Sequence, residues 1–297
     1  MVDKIVKCFL IVIACAFALL MLGLPLAAVA TYALREGYGV FIAAITDPYA
    51  LSALRLTLLT TVISVSVNTV FGLFAAWALT RFSFKGRSLL TTVMDIPFAV
   101  SPVIAGLVFI LVFGRIGWAA PVLSFLNLKI VFALPGIVLA TIFVTFPFVS
   151  RELIPVLNAR GVAEEEAAAL MGASGWKIFF RITLPHIKWA LMYGVILCSA
   201  RALGEFGAVS VVSGHLRGKT NTLPLHVEVL FGEFHLTAAF AVSSILMLIA
   251  ILTLILKTVV EVKGKKEGAS AIVELKGKNE GANAIVELNG IKEGSSV

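Results

Sequence analysis

Two opposite charges, Arg201 and Glu205, stand four residues apart in the otherwise apolar stretch ARALGEFGAVSVV, residues 200–212. In an α-helix, side chains at this spacing lie on the same face, so the two charges could form an ion pair. An isolated charge at the centre of a bilayer costs about 2.5–3.5 kcal/mol on insertion scales, and such residues usually face a bundle interior or a water-filled cavity. The pair is therefore a candidate structural ion pair or a candidate gate for a charged solute. Gly204 and Gly207 beside it favour close helix approach or a local break.

A second polar segment follows, in which His215, Arg217 and Lys219 lie beside two glycines. These residues could attract an anion or contact acidic residues of a docking protein. A solvated loop is the alternative interpretation. The same segment, GHLRGKT (214–220), is not predicted to bind a nucleotide, because three residues separate its glycines where the phosphate-binding pattern has four.

Other kinds of chemistry find no support in the residue pattern. The four histidines are scattered, and the three cysteines lie in apolar runs without metal-ligand spacing. No Ser/His/Asp set or pair of inward carboxylates is evident. We therefore expect no catalytic residue, no metal site and no cofactor bound by this chain itself.

The amino-acid composition indicates that membrane-spanning helices must position these residues. Of the 297 residues, 60% are hydrophobic and 14% are charged, and the mean hydropathy is +1.03. Soluble domains are about 25% charged, so lipid is the expected solvent here. The net charge of +7 then marks the cytoplasmic side of a membrane protein, and we expect no nucleic-acid partner.

Six runs are long enough to cross a bilayer, which takes roughly 20 apolar residues rising 1.5 Å each. The sequence therefore predicts an all-α integral membrane protein with one transmembrane domain, residues 1–260. Its six transmembrane helices are predicted near residues 8–34, 56–80, 91–114, 130–150, 188–212 and 236–256. Residues 261–297 contain two copies of a 13-residue unit, KGKKEGASAIVEL and KGKNEGANAIVEL, and are predicted to be a flexible cytoplasmic tail.

The distribution of lysine and arginine predicts the orientation. With odd-numbered connections placed outside, six basic residues lie outside and 17 lie inside, and Arg201 within the fifth span completes the 24. Basic residues concentrate on the cytoplasmic side of a membrane. Both termini are therefore predicted to be cytoplasmic.

The predicted cytoplasmic connection between the fourth and fifth spans, residues 151–188, is too long for a simple turn. Its segment EEEAAALMGASGWKIFFRITLP (164–185) predicts two short helices, because glutamates favour a helix N-terminus and Gly172 can end a helix. Ser174 can cap the second helix. The residues of this segment leave two interpretations open. It is either a protruding surface that docks on a soluble protein or an amphipathic helix that lies on the lipid surface.

The spacing within this segment resembles the EAA loop of bacterial ABC-importer permeases at each fixed position of that pattern. The resemblance implies a type I ABC-importer permease fold with a cytoplasmic coupling-helix loop that docks into a cleft on an ATP-hydrolysing subunit. It assigns the docking contact to Glu166, Ala167, Ala168 and Gly172, and the lead into the fifth span to Ile182, Leu184 and Pro185.

Three further stretches, DIPFAVSPVIAGLVF (95–109), ARALGEFGAVSVVSGH (200–215) and RGKTNTLPLHVEVLF (217–231), resemble the W-type membrane subunit of sulfate/thiosulfate importers. The resemblance implies a multi-pass protein of the bacterial inner membrane that forms half of a pore. The implied partners are a T-type permease subunit, two ATPase subunits and an external sulfate-binding protein. ATP and magnesium are expected on the partner ATPase. The repeated tail departs from the family pattern.

Other functions remain open on the sequence alone. A molybdate or tungstate permease is the nearest alternative, and a stand-alone channel or secondary transporter is an alternative from another class. For a sulfate pathway, Arg201 would lower the barrier to the dianion and Glu205 would prevent tight binding, as conduction requires. A structural ion pair, or a contact across the interface between the two permeases, are the other interpretations of these residues.

Overall fold

The computed structural model describes residues 2–264, and these residues form helices joined by turns and short connections. Residues 265–297, which include most of the predicted tail, lie outside the described residues. In chain order, the helices are α1 (Val2–Ala18), α2 (Leu24–Ala33), α3 (Tyr38–Thr46), α4 (Pro48–Arg81), α5 (Arg87–Ala99), α6 (Pro102–Phe113), α7 (Ala120–Phe125), α8 (Leu134–Thr145), α9 (Pro147–Arg160), α10 (Ala163–Leu170), α11 (Gly175–Ile178), α12 (Leu184–Leu203), α13 (Gly207–Ser213), α14 (Leu223–Gly232) and α15 (Leu236–Gly264).

Five helical segments are long and apolar enough to cross a membrane, and a bent pair of helices makes a sixth. The all-α membrane fold predicted from the sequence is thereby confirmed. The straight candidates are Val6–Ala33, Pro48–Arg81, Leu134–Arg160, Gly175–Leu203 and Leu236–Gly264. The first of these buries none of its apolar window against the rest of the chain, so its surface is free for lipid or for another subunit.

The third predicted span, 91–114, is not one straight helix. Helices α5 and α6 meet at an angle of 108°. The break falls before Pro102, where Val100 and Ser101 have extended ψ values of 131° and 132°. Proline disfavours the α conformation in the residue before it, which explains the position of the bend.

The fifth predicted span, 188–212, is also interrupted. Its helix ends at Leu203, Gly204 occupies the C-cap, and α13 starts separately at Gly207. Glycine in a helix interior is costly and has no side chain to pack, so two glycines three residues apart favour a break at this point. The predicted span 188–212 therefore contains two helices, α12 and α13, with the local break at the two glycines that the sequence indicated.

The connection between the fourth and fifth spans is shorter than the predicted 151–188. Helix α9 continues to Arg160, and the helix of the fifth span begins at Gly175. The extension of α9 is stable because Val149, Leu153 and Leu157, four residues apart, are almost completely buried. The second predicted loop helix is thus the first turn of the fifth span, which runs through a π-helical segment, Phe179–Thr183, into α12.

Close helix packing in the centre depends on glycine. A Cβ atom at Gly72 of α4 would lie 2.9 Å from Cβ of Val149, and one at Gly194 of α12 would lie 3.2 Å from Cα of the same valine. Helix α9 is therefore held between α4 and α12 at backbone distance, as is typical of helix association in membranes. On the other side, a Cβ at Gly106 of α6 would lie 2.8 Å from the carbonyl oxygen of Ala208 in α13.

A buried polar face runs along α4 toward α8. Thr57, Ser64 and Asn68 are each at most 3% exposed. The Asn68 side-chain amide donates hydrogen bonds to Oγ1 of Thr145 at 2.8 Å and to the carbonyl of Ile142 at 3.1 Å. These bonds fix the register of α4 against α8, because an unpaired polar group in an apolar bundle is costly.

We predict that Gly106→Ala destabilises the subunit and that Gly232→Ala does not. The added methyl at Gly106 meets backbone of α13, whereas a Cβ at Gly232 has no neighbour within 4 Å. Overpacking of this kind costs about 1–3 kcal/mol. Thermal unfolding of the detergent-solubilised chain measures the difference, and equal melting temperatures for the two variants would contradict the close approach of α6 and α13.

Candidate functional site

Helix α10 presents the residues of the predicted docking contact. Glu164, Glu165 and Glu166 occupy its first turn, where negative charge favours the helix dipole. Ala168 is buried, whereas Glu166 and Ala167 are exposed. Gly172 takes a left-handed conformation, with φ of +82°, and turns the chain after the helix. The predicted contact residues therefore occupy one short helix and the turn that follows it.

The end of α10 exposes a group of large apolar side chains. Leu170 is 90% exposed, Met171 83% and Trp176 63%. Ile182 and Leu184 are half-buried and Pro185 is exposed in the helix that leads into the fifth span. An exposed apolar cluster with a neighbouring glutamate is a surface suited to binding another protein.

The position of α10 is fixed by Glu165, a residue that the sequence analysis did not single out. Its carboxylate forms an ion pair of 2.8 Å with Nε of Arg81, the last residue of α4, and accepts a hydrogen bond of 2.9 Å from Oγ1 of Thr183. Both charged side chains are largely buried, at 8% and 15% exposure. Arg81 also donates to the carbonyl of Leu157 in α9 at 3.1 Å. One ion pair thus joins α10 to α4, α9 and the fifth span.

A second link comes from aromatic packing. Phe179, 1% exposed, lies against Phe74 and Trp77 of α4, with ring centroids 5.9 Å and 5.0 Å apart. Trp176 stacks on Phe180 at 6.0 Å. The start of the fifth span is therefore packed against the end of α4. Helix α10 is attached to both of them through Glu165.

The structure brings Arg201 and Glu205 together across the end of α12. Nη1 of Arg201 lies 2.5 Å from Oε2 of Glu205. The Glu205 side chain is 1% exposed, and that of Arg201 is 33% exposed. The other Glu205 oxygen accepts a hydrogen bond of 2.9 Å from the backbone N–H of Ala208. Glu205 therefore caps the first turn of α13 as well as pairing with Arg201.

Gly207 places this charged pair beside the bend of the third span. A Cβ atom at Gly207 would lie 3.0 Å from Cβ of Pro102, the first residue of α6. Gly204 has no close neighbour of this kind and acts as the C-cap of α12. The break in the fifth span and the bend in the third span thus meet at one point.

The basic residues of the second polar segment, His215, Arg217 and Lys219, are partly neutralised. Arg217 forms an ion pair with Glu233, whose hydrogen bond raises the pKa of Arg217, and the same bond lowers the pKa of Glu233. Nδ1 of His215 lies 3.9 Å from Glu228. Lys219 is exposed. The segment retains less free positive charge than its sequence suggests. Within residues 2–264, no group of three or more metal-ligating side chains occurs.

We predict that Glu165→Gln loosens the connection around α10. Glutamine can still accept from Thr183 but leaves the Arg81 charge buried without its partner, and breaking a buried pair costs about 3–5 kcal/mol. Trypsin cleavage after Lys177 should become faster in the native protein. Glu164→Gln is the matched control, since Glu164 is 68% exposed and pairs with His186 at the surface. Equal cleavage rates in both variants would show that the Arg81 pair does not hold α10.

Comparison with known proteins gives a consistent result. Residues 68–263 match the family described as binding-protein-dependent transport system inner membrane components. The chain is 49% identical to the sulfate transport system permease protein CysW of Synechocystis sp., over 86% of this chain and 93% of that protein. It is 49% identical to CysW of Escherichia coli K12, over 86% of this chain and 88% of that protein. Identity to CysT of the same strain is 37%, over 80% and 86%.

Solved structures agree on the fold. The bacterial alginate ABC transporter aligns with a TM-score of 0.73 and 16% identity, over 89% of this chain and 96% of that chain. The same kind of transporter in complex with a periplasmic protein that holds an alginate pentasaccharide gives a TM-score of 0.73 and 17% identity, over 86% and 93%. Sequence identities this low carry the fold alone.

Proposed function

The chain belongs to the family of binding-protein-dependent transport system inner membrane components, and we propose that it is the W-type permease subunit of an ATP-driven sulfate/thiosulfate importer. One observation supports the W-type assignment. The chain is 49% identical to CysW of Escherichia coli and only 37% identical to CysT of the same strain. As a member of this family it is a multi-pass inner-membrane protein. We further propose that both termini are cytoplasmic, which is supported by the excess of lysine and arginine on that side.

In this proposal the chain forms half of the translocation pathway. A T-type permease supplies the other half, an external sulfate-binding protein delivers the anion, and two ATPase subunits bind ATP and magnesium. The existence of two related permeases, CysW and CysT, in one bacterium supports such a pair. Sulfate is favoured over molybdate or tungstate because the relatives at 49% identity are sulfate transport system permease proteins.

Coupling would begin at α10. Its exposed surface around Glu166, Leu170 and Met171 would dock on the ATPase. The Arg81–Glu165 pair and the packing of Phe179 would then pass its movement to α4 and α12 together. Helix α12 carries Arg201 in its last turn and ends at Leu203, so a displacement that starts at the loop would reach the break between α12 and α13.

The charged pair at that break is proposed as a gate. Arg201 retains one-third of its side-chain exposure, whereas its partner carboxylate is buried. An arginine in this setting can offer its guanidinium to a dianion while Glu205 limits how tightly the anion binds. The bend of the third span next to Gly207 gives the gate a second movable element.

We expect the complex of this chain with its T-type permease, ATPase and binding protein to import radiolabelled sulfate in a strain that lacks sulfate uptake. Molybdate supplied in the same assay tests the alternative anion. Uptake of molybdate without sulfate would refute the assigned substrate. Uptake by this chain in the absence of any ATPase would instead indicate a stand-alone transporter.

Glu166→Arg should reduce sulfate uptake by about tenfold or more and reduce co-purification of the ATPase. Reversing an interfacial charge typically costs several kcal/mol, and each 1.4 kcal/mol is about tenfold. The control is Lys129→Glu, a charge reversal at an exposed residue in the connection between α7 and α8. If both variants retain uptake and bound ATPase, α10 is not the docking helix.

The Arg201→Ala/Glu205→Ala double variant should lose sulfate uptake and keep ATP hydrolysis stimulated by the binding protein. Removing both charges avoids leaving one of them buried alone. The Arg201→Gln/Glu205→Gln double variant should lose uptake as well, and it preserves the cap of α13, because an amide oxygen at position 205 can still accept from Ala208. Wild-type uptake by the double variant at normal expression would contradict the gate and leave a structural ion pair.

A further inference from the structure

A second arginine–carboxylate pair lies within the candidate spans. Nε of Arg151 in α9 is 3.1 Å from Oδ1 of Asp95 in α5. Both side chains are about half exposed, at 55% and 46%. The guanidinium carbon also lies 4.3 Å from the centroid of the Phe98 ring, within cation–π distance. This pair joins the first half of the bent third span to the fourth span.

The pair lies between the apolar part of each helix and the helix end assigned to the cytoplasm. Asp95 lies eight residues after Arg87, the first residue of α5, and Arg151 lies nine residues before Arg160, the last of α9. At 1.5 Å per residue, each is roughly 12–14 Å along its helix from the end assigned to the cytoplasm. Because hydrocarbon solvates charges poorly, these two half-exposed side chains face water or another protein.

An open cleft of about 440 Å³ adjoins the pair. It is lined by Thr91, Met94 and Asp95 of α5 and by Arg151 and Glu152 of α9, among others. Glu152 is the other carboxylate of the cleft, and its Cβ lies next to Gly194 of α12, on the side of α9 that packs against the fifth span. Asp95 is therefore the acidic group that pairs directly with Arg151.

The guanidinium of Arg151 is held in position by two contacts, but some of its N–H donors have no hydrogen-bond acceptor among the described residues. Its plane is held by Asp95 at Nε and by the Phe98 ring. Within residues 2–264, no protein partner engages its two terminal nitrogens, which carry four N–H donors. By contrast, Arg81, Arg201 and Arg217 each use a terminal nitrogen in a hydrogen bond or ion pair. A planar fork of free N–H donors matches two oxygens of a tetrahedral oxyanion.

We propose that the terminal guanidinium nitrogens of Arg151 bind the transported oxyanion in the inner half of the pathway, with Asp95 and Phe98 as positioning residues. This inference rests on the proposed import of a tetrahedral dianion. Asp95 and Glu152 limit the positive charge of the cleft, so that the anion does not bind tightly and leaves again. Arg201 and Arg151 would then be two carboxylate-balanced sites in series, one at the break of the fifth span and one nearer the cytoplasm.

The first experiment measures sulfate uptake and ATPase activity of the complete complex in liposomes. Arg151→Gln should reduce uptake by about tenfold or more, because charge-assisted hydrogen bonds to the anion are lost. ATP hydrolysis stimulated by the loaded binding protein should remain, since the contacts of Arg151 are with Asp95 and Phe98 of α5. Arg160→Gln, on the same helix, is the control and should change neither rate. Arg151→Lys should show partial uptake, because it keeps the charge and loses the fork.

The second experiment tests occupancy of the site directly. Thr91→Cys is placed in a chain whose three cysteines are replaced by alanine, and its reaction with an anionic methanethiosulfonate reagent is followed from the cytoplasmic side. Sulfate should slow this reaction with Arg151 present and have no effect with Arg151→Gln. This readout does not depend on transport, and a purely structural arginine would not produce it.

Phospholipid headgroups carry the same oxyanion chemistry, so the labelling is repeated in nanodiscs of phosphatidylcholine with and without phosphatidylglycerol. Protection by sulfate in both membranes supports the proposal. Protection that requires phosphatidylglycerol and ignores sulfate overturns it in favour of a lipid site. A cysteine that no aqueous reagent reaches also overturns it, because the face would then be covered by the partner permease.

The two proposals fail in different ways. If the wild-type complex imports no sulfate, the proposed function is wrong whatever Arg151 does. If the wild-type complex imports sulfate and Arg151→Gln matches it in uptake and in protection, only the inner anion site is wrong.

Discussion

The approach of α4 and α12 to the same valine of α9 is the packing constraint on which the other features depend. Gly72 and Gly194 allow both neighbours to reach Val149 at backbone distance. In a membrane, water does not drive helices together, so association relies on such close van der Waals packing. With α9 fixed in this way, its residues Leu153 and Leu157 are also buried. The helix therefore continues beyond the predicted span 130–150 and ends at Arg160. The connection to α10 then starts from a rigid support.

This support gives the short helix α10 a defined position. An eight-residue helix would be only marginally stable alone. Here Glu165 ties it to Arg81 at the end of α4 and to Thr183 in the fifth span, and Arg81 reaches the carbonyl of Leu157. The three glutamates of the first turn therefore have different surroundings. Glu165 is largely buried as an anchor, Glu164 pairs with His186 near the surface, and Glu166 is exposed.

The two arginine–carboxylate pairs within the candidate spans differ in how each arginine is engaged. Glu205 is buried, caps α13 and engages a terminal nitrogen of Arg201. Asp95 is half exposed and engages Arg151 through Nε, so the terminal nitrogens of Arg151 have no hydrogen-bond partner among the described residues. The two bends of the backbone, before Pro102 and after Gly204, lie next to the Arg201–Glu205 pair. A charged pair and two interruptions of the helical backbone thus occur at the same place. Non-helical backbone within a membrane bundle is tolerated where it is buried in protein or lines a water-filled cavity.

The sequence by itself determined the all-helical membrane fold and the number of candidate spans, because apolar length and charge density are local properties of the chain. It also located α10, since three glutamates, a run of alanines and Gly172 specify a short capped helix. The sequence did not determine the bend of the third span, the break in the fifth or the extension of α9. Those features depend on which faces become buried and which glycines meet a neighbour. The pairs Arg81–Glu165 and Arg151–Asp95 join residues 84 and 56 positions apart, and only tertiary packing brings such charges into contact.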